Sequence, residues 1–181
     1  ALGDLVAASG LAQARERMFN GEVINPTEGR AVFHVALRAA ASRSMRLGPQ
    51  GEPVSDEIAR TLQRMREFSH QVRGGQWRGA SGQRITDIVN VGIGGSQLGP
   101  LLACEALHEH SQPDLSVHFL ANIDPMAWSR LRERLNPAST LVVIASKTWR
   151  TIETARNAQA VRDWLLASGI AESAVHHHLV G

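Results

Sequence analysis

Three β-branched apolar runs alternate with longer segments of mixed polarity in the second half of the chain. No other feature of the sequence restricts the fold as tightly. Residues 85–91 (ITDIVNV), 115–121 (LSVHFLA) and 140–145 (TLVVIA) have the length and the Val, Ile and Leu content of strands, and the first and last read as strands buried on both faces. Between and after them, residues 97–110, 125–135 and 151–167 are long enough for helices, and 177–180 begins a fourth strand. Strand and helix in strict alternation require parallel strands joined by right-handed crossovers. The expected fold is therefore α/β, a doubly wound parallel sheet with helices on both faces, over residues 81–181.

The first eighty residues read differently. Leu5, Leu11, Ala14 and Met18 recur at roughly helical spacing and predict a helix over 5–19, followed by a turn at 21–26. Thr27 is placed to cap a second helix through Leu37, with Val32, Val35 and Ala36 available for burial. After a Ser-, Gly- and Pro-rich loop over 41–53, Ser55 is placed as an N-cap with Asp56 and Glu57 in the first turn. Ile58, Leu62, Met65, Phe68 and Val72 then follow at a 3.6-residue rhythm until Gly74-Gly75. Residues 1–80 are thus expected to be a helical segment packed on the α/β domain. A parallel strand at 177–180 with no helix after it leads to the expectation that the domain is truncated at its C-terminal end.

Composition excludes several function classes. The 43% hydrophobic content suffices for a buried core, and the net charge of +2 comes from scattered basic residues, not from the basic stripe of a nucleic-acid binder. No apolar run is long enough to cross a bilayer, and no signal-peptide layout is present, so no membrane role is expected. The single cysteine, Cys104, suits a cytoplasmic protein and is expected to be a buried, inert thiol.

Two loops carry the chemistry. The segment VNVGIGGSQLGP (89–100) joins the first strand of the sheet to its helix; Gly92, Gly94 and Gly95 allow a sharp turn and a close ligand approach, and Ser96 adds a hydroxyl at a helix start. The dinucleotide fingerprint fails because Gln97 stands at its third glycine. The nucleoside-triphosphate loop fails because Pro100 follows Gly99 where a lysine is needed. The second loop, Ser146-Lys147-Thr148-Trp149-Arg150-Thr151, again precedes a helix. It holds three hydroxyls and Lys147, the only lysine among 19 basic side chains. Ordinary capping requires one hydroxyl. In a 2-1-3-4-5 strand order both loops leave neighbouring strands at the switch point, where ligands bind. A phosphate monoester, held by hydroxyls and backbone amides, is the anion that fits.

Other residues invite functional readings that their surroundings do not favour. His34 is expected to pack against a neighbouring helix, and His176, His177 and His178 to form a partly exposed strand start, since alternate side chains of a strand do not converge on one ion. Glu105 and Glu153 read as solvated or ion-paired. Trp149 fits stacking on a sugar ring and packing beneath its loop equally well.

The runs DIVNVGIGGSQLGP and LVVIASKTWRTIETARNAQ, together with NPTEGRAVFHVALR upstream, resemble the glucose-6-phosphate isomerase (phosphoglucose isomerase) family from about Arg15 onward. The resemblance implies a pair of sugar-isomerase α/β domains of three-layer αβα type, assembled as a homodimer. It implies interconversion of glucose 6-phosphate and fructose 6-phosphate in glycolysis and gluconeogenesis, without metal or organic cofactor. It places the substrate phosphate on Gly95, Ser96, Ser146, Lys147, Thr148 and Thr151. The family's glutamate, histidine, lysine and arginine that open the ring and move the proton belong to motifs downstream of Gly181, so no catalytic residue is assigned here. Gln97, Trp149, Arg150, Ile152 and the Pro125-Met126 pair depart from the commonest family pattern, and none of them removes a phosphate hydroxyl. A non-catalytic sugar-isomerase domain acting as a phosphosugar sensor is the alternative; the EGRAVFHVALR stretch favours the isomerase.

Overall fold

The computed structural model describes residues 2–39, 44–48 and 51–181, so the expected 41–53 loop lies partly outside the described residues. The chain divides into two compact units, residues 1–67 and 68–181.

In the first unit the single helix expected over 5–19 is two, α1 (Leu2–Ala8) and α2 (Leu11–Phe19). Gly10 separates them with a left-handed φ of 69°, and neither helix buries a residue; Leu5 and Leu11 are exposed. No helix begins at Thr27. Instead β1 (Val23–Asn25) and β2 (Arg30–Ala31) form a short antiparallel hairpin. The Asn25 side chain outcompetes a helix start: its Oδ1 accepts from the Thr27 and Glu28 amides at 3.1 and 3.2 Å and builds the turn locally. Only a 3-10 turn, His34–Arg38, follows, with Ala36 buried and His34 exposed to solvent, not packed. Helix α3 (Ser55–Arg73) lies where expected, but Ser55 is its first helical residue and not its N-cap: the Ile58 amide donates to the Val54 carbonyl at 3.0 Å, and the Ser55 hydroxyl accepts from the Met45 amide at 2.8 Å.

The second unit is the expected α/β sheet. Its elements are β3 (Asp87–Val91), α4 (Gly95–Ala106), β4 (Ser116–Leu120), α5 (Pro125–Arg132), β5 (Thr140–Ile144), α6 (Ile152–Ala167) and β6 (Leu179–Val180). The strands are parallel in the order β4-β3-β5-β6, so β3 has β4 and β5 as its neighbours. That is the expected 2-1-3-4 order.

Alternation along the strands divides the core into two layers. Val89, Val91, Leu120 and Val142 pack with Trp128 of α5 and with Val161 and Leu165 of α6. Ile85 and Leu141 face the other way, onto Val72 and Phe68 of α3's last turns, with Trp77 edge-on to Phe68. Each fully buried Val or Leu here contributes about 1.5–3 kcal/mol relative to exposure. Helix α5 begins on Asp124, whose carboxylate accepts from the Met126 amide at 2.9 Å, with Pro125 in the first helical position where its missing N–H costs nothing.

Two expectations fail for tertiary reasons. Helix α4 buries no side chain, and Cys104 is exposed, because the helix turns Leu98, Leu102 and Cys104 outward. The three histidines do not begin a strand; His176 and His177 lie in a 3-10 turn (Glu172–His177), and His178 is completely buried. Ser146–Arg150 is a loop, as expected, and α6 starts directly after Thr151, its N-cap residue, one residue from the expected start.

Candidate functional site

The site is set by the register of two strands. Val91, the last residue of β3, pairs with Ile144, the last of β5, and the Ala145 amide donates to the Val91 carbonyl at 2.8 Å. The two loops therefore leave the carboxyl edge of the sheet side by side and at the same height. Gly92 marks how closely they approach. A Cβ there would stand 2.9 Å from the Ser96 Cβ and 3.0 Å from the Ala145 carbonyl oxygen, so Ser96 and the start of the second loop press on one point. Gly92→Ala should wedge them apart, costing about 1–3 kcal/mol of stability as overpacking. Thermal unfolding checks this, and an unchanged midpoint would show that the contact is slack.

Gly94 precedes α4 with φ 60° and ψ −126°, a conformation that only glycine adopts readily. It turns the chain so that Gly95 opens the helix and Ser96 follows in its first turn, half-buried. No side chain caps this helix; the Ser96 amide donates to the Ile93 carbonyl at 3.3 Å and the Gln97 amide to the Gly94 carbonyl at 3.0 Å, so the turn partly caps itself, and the positive end of the helix dipole lies at the carboxyl end of β3.

In the second loop the Ser146 hydroxyl accepts from the Trp149 amide at 3.0 Å. Trp149 is held at φ 57°, a left-handed conformation that costs a non-glycine residue roughly 1–2 kcal/mol. Its ring is 62% exposed while the ring's tip reaches back to Gly181, so neither a purely packed nor a purely free indole describes it. Ser146, Thr148 and Thr151 are half-buried and Lys147 is exposed. Thr151 makes no cap bond with its own helix, which leaves its hydroxyl available to a ligand. Arg150 and Ile152 are exposed beside it.

Two buried asparagines that sequence reasoning passed over support these loops. Asn90 of β3 donates from Nδ2 to the Ser96 carbonyl at 3.0 Å. Asn157 of α6 donates to the carbonyl of Asn122 at 3.0 Å and to that of Ala121 at 3.4 Å, holding the loop after β4. The signal available was a polar amide in the middle of an apolar strand and another on the apolar face of a helix. A separate polar concavity, lined by His70, Gln71, Arg73, Gly74, Gln76 and Gln112, lies toward the amino ends of the strands, away from both loops. Among the described residues no group of three His, Cys, Asp or Glu side chains is placed to hold a metal ion, and no helix is long and apolar enough to cross a membrane.

A parallel sheet with a glycine-rich loop and a hydroxyl-rich loop at the ends of adjacent inner strands defines a doubly wound α/β domain, a class in which ligands bind at the switch point. The chain belongs to the phosphoglucose isomerase family, whose model matches residues 1–181. It is 46% identical over 176 residues to the glucose-6-phosphate isomerase of Ralstonia pickettii, covering 97% of this chain and 32% of that protein. With the glucose-6-phosphate isomerase of Dechloromonas aromatica it shares 48% identity over 166 residues, 92% of this chain and 30% of the relative. A crystal structure of a glucose-6-phosphate isomerase from Chlamydia trachomatis superposes with a TM-score of 0.76 at 26% identity, over 97% of this chain and 32% of that one. The chain thus spans about a third of the length of the relatives it matches.

Proposed function

We propose that this chain is the phosphosugar-binding part of an aldose–ketose isomerase that interconverts glucose 6-phosphate and fructose 6-phosphate. Residues 81–181 form its first sugar-isomerase domain and residues 1–80 the accompanying helical segment. The observation that carries the reading is the in-register pairing of Val91 with Ile144, which sets the Ser96 loop and the Ser146–Thr151 loop on adjacent strand ends. A phosphate dianion seated there accepts from the Gly95 amide at the start of α4 and from the hydroxyls of Ser96, Ser146, Thr148 and Thr151, with Lys147 supplying positive charge. Charge-assisted hydrogen bonds of this kind are roughly twice as strong as neutral ones.

Anchoring the phosphate fixes the far end of the sugar, so that C1 and C2 are presented to a base in one orientation instead of many. The groups that open the ring and transfer the proton belong to family motifs this chain does not contain, and it supplies no catalytic residue. The reading carries with it operation in glycolysis and gluconeogenesis, in the cytoplasm, as a homodimer, with no metal or organic cofactor and no nucleic-acid partner; membership of the phosphoglucose isomerase family supports the isomerase part.

A coupled assay tests the reading. The full polypeptide carrying this chain should convert fructose 6-phosphate to glucose 6-phosphate, whereas residues 1–181 alone should show no turnover. Phosphosugar binding without turnover by the full polypeptide would instead make it a sensor. Turnover by residues 1–181 alone would place catalytic groups inside this chain.

A further inference from the structure

We propose that Asn90 is the positioning residue of the phosphate loop, acting on Ser96 through a carbonyl that Pro100 sets free; this rests on the phosphate reading above. In a regular helix the carbonyl of residue i accepts from the amide of residue i+4. For Ser96, in the first turn of α4, that residue is Pro100, which lies inside the helix and has no N–H. The Ser96 carbonyl is therefore left without its helical donor. Asn90, 8% exposed in the middle of β3, fills the vacancy from the sheet side with its Nδ2 at 3.0 Å.

The chemistry at position 90 is otherwise hard to explain. Its strand neighbours Val89 and Val91 are completely buried and apolar, and a buried carboxamide destabilises a core unless its polar atoms are bonded. A valine or leucine would serve the sheet better if packing were the only demand. The amide and the proline form a complementary pair. One removes the helix's own hold on the Ser96 peptide and the other transfers that hold to the strand. Fixing the Ser96 carbonyl fixes the Ser96–Gln97 peptide plane, whose N–H donates to the Gly94 carbonyl at 3.0 Å, and so holds Ser96 and the Gly94-Gly95 turn that carry the donors. Gly92 lets Ser96 lie close against the strand end, so the transferred bond is short enough to form. The anion donors are thereby referenced to β3, the strand paired with β5, and not to a helix end free to fray.

The test uses the full isomerase polypeptide carrying this chain. Asn90→Leu keeps the volume and removes the donor. A phosphate-anchoring defect is a loss of uniform binding, so KM for glucose 6-phosphate should rise by about tenfold with kcat changed less than about threefold. The inhibition constant of inorganic phosphate should rise in parallel, a readout that a general loss of stability would not move. Adding Pro100→Ala returns an N–H to the helix, and the N90L/P100A pair should recover part of the lost affinity. Should N90L not fold, Asn90→Thr, which suits a strand but is too short to reach Ser96, should show the same KM rise and the same rescue by Pro100→Ala. Unchanged KM and phosphate inhibition in the folded Asn90 variant, with binding weakened by Ser146→Ala/Thr148→Ala, would overturn the role of Asn90 and leave the phosphate site standing. If the serine–threonine pair leaves binding unchanged as well, the phosphate reading itself fails.

Discussion

Replacing Ser146 and Thr148 together with alanine will weaken glucose 6-phosphate binding by roughly two orders of magnitude or more, because each hydrogen bond to a charged group is worth about 1.5–3 kcal/mol and about 1.4 kcal/mol is tenfold in affinity. The two losses need not add, since both hydroxyls sit on one loop. Ser146 contributes in two ways. Its oxygen accepts from the Trp149 amide, and accepting that bond leaves its single O–H to be donated, on this reading to the phosphate. Removing the oxygen also releases Trp149 from the bond that helps hold its left-handed backbone. Lys147→Ala should cost less than the double change, because alanine keeps the backbone N–H. Calorimetry with glucose 6-phosphate against the three variants measures this. A larger loss in Lys147→Ala would show that the ammonium dominates, and a double variant that binds like the parent would place the phosphate elsewhere.

The largest effect on stability is expected at His178. The ring is completely buried and uses both nitrogens: Nδ1 lies 2.8 Å from the Thr140 carbonyl, and Nε2 lies 2.8 Å from the Ala80 amide. A carbonyl requires a donor and an amide requires an acceptor, so the ring is assigned as the neutral Nδ1–H tautomer. This one side chain ties the chain before β6 to the start of β5 and to the turn at Gly79-Ala80. Gly79 lies close against it; a Cβ there would stand 2.6 Å from Cε1. His178→Leu keeps the bulk but removes both bonds, stranding the Ala80 N–H and depriving the Thr140 carbonyl of a partner. The cost should be about 2–4 kcal/mol, at about 1–3 kcal/mol for each buried group left unsatisfied. For a chain of this size that lowers the unfolding midpoint by about 2–4 °C per kcal/mol. A melting curve that coincides with the parent's would show that water or a backbone shift replaces the histidine.

The sheet was legible because its signal is local. Residues 85–91 and 140–145 are rich in β-branched apolar side chains, the first run interrupted by Thr86, Asp87 and Asn90, and β3 and β5 lie inside those limits. Chain connectivity then made β3 and β5 neighbours, and their paired ends are where the two loops emerge. What failed was decided by competition or by distant partners. Thr27 had the chemistry of a helix cap, but the Asn25 carboxamide two residues earlier took the same amides for a turn. The period over 5–19 was helical on both sides of Gly10, and periodicity is blind to a break that keeps the phase. The histidine triplet looked like one feature, yet only His178 meets acceptor and donor groups 38 and 98 positions away in the chain. Asn90 was visible as an oddity, but its role depends on what Pro100 does to Ser96, which becomes apparent only once the helix is placed over the strand.

Trp149 gives the loop an optical property. Of the four tryptophans, Trp128 and Trp164 are locked edge to face, 5.4 Å between centroids, and Trp77 donates its indole N–H to the His177 carbonyl at 3.0 Å. Trp149 alone stands in water, on the backbone segment bonded to Ser146. Its emission therefore lies at the red edge of the protein's fluorescence, and collisional quenchers reach it first. An anion that accepted a hydrogen bond from the Ser146 hydroxyl would alter the dipole beside that indole without touching the other three. A ligand bound at that loop would therefore be reported by Trp149 and by no other tryptophan.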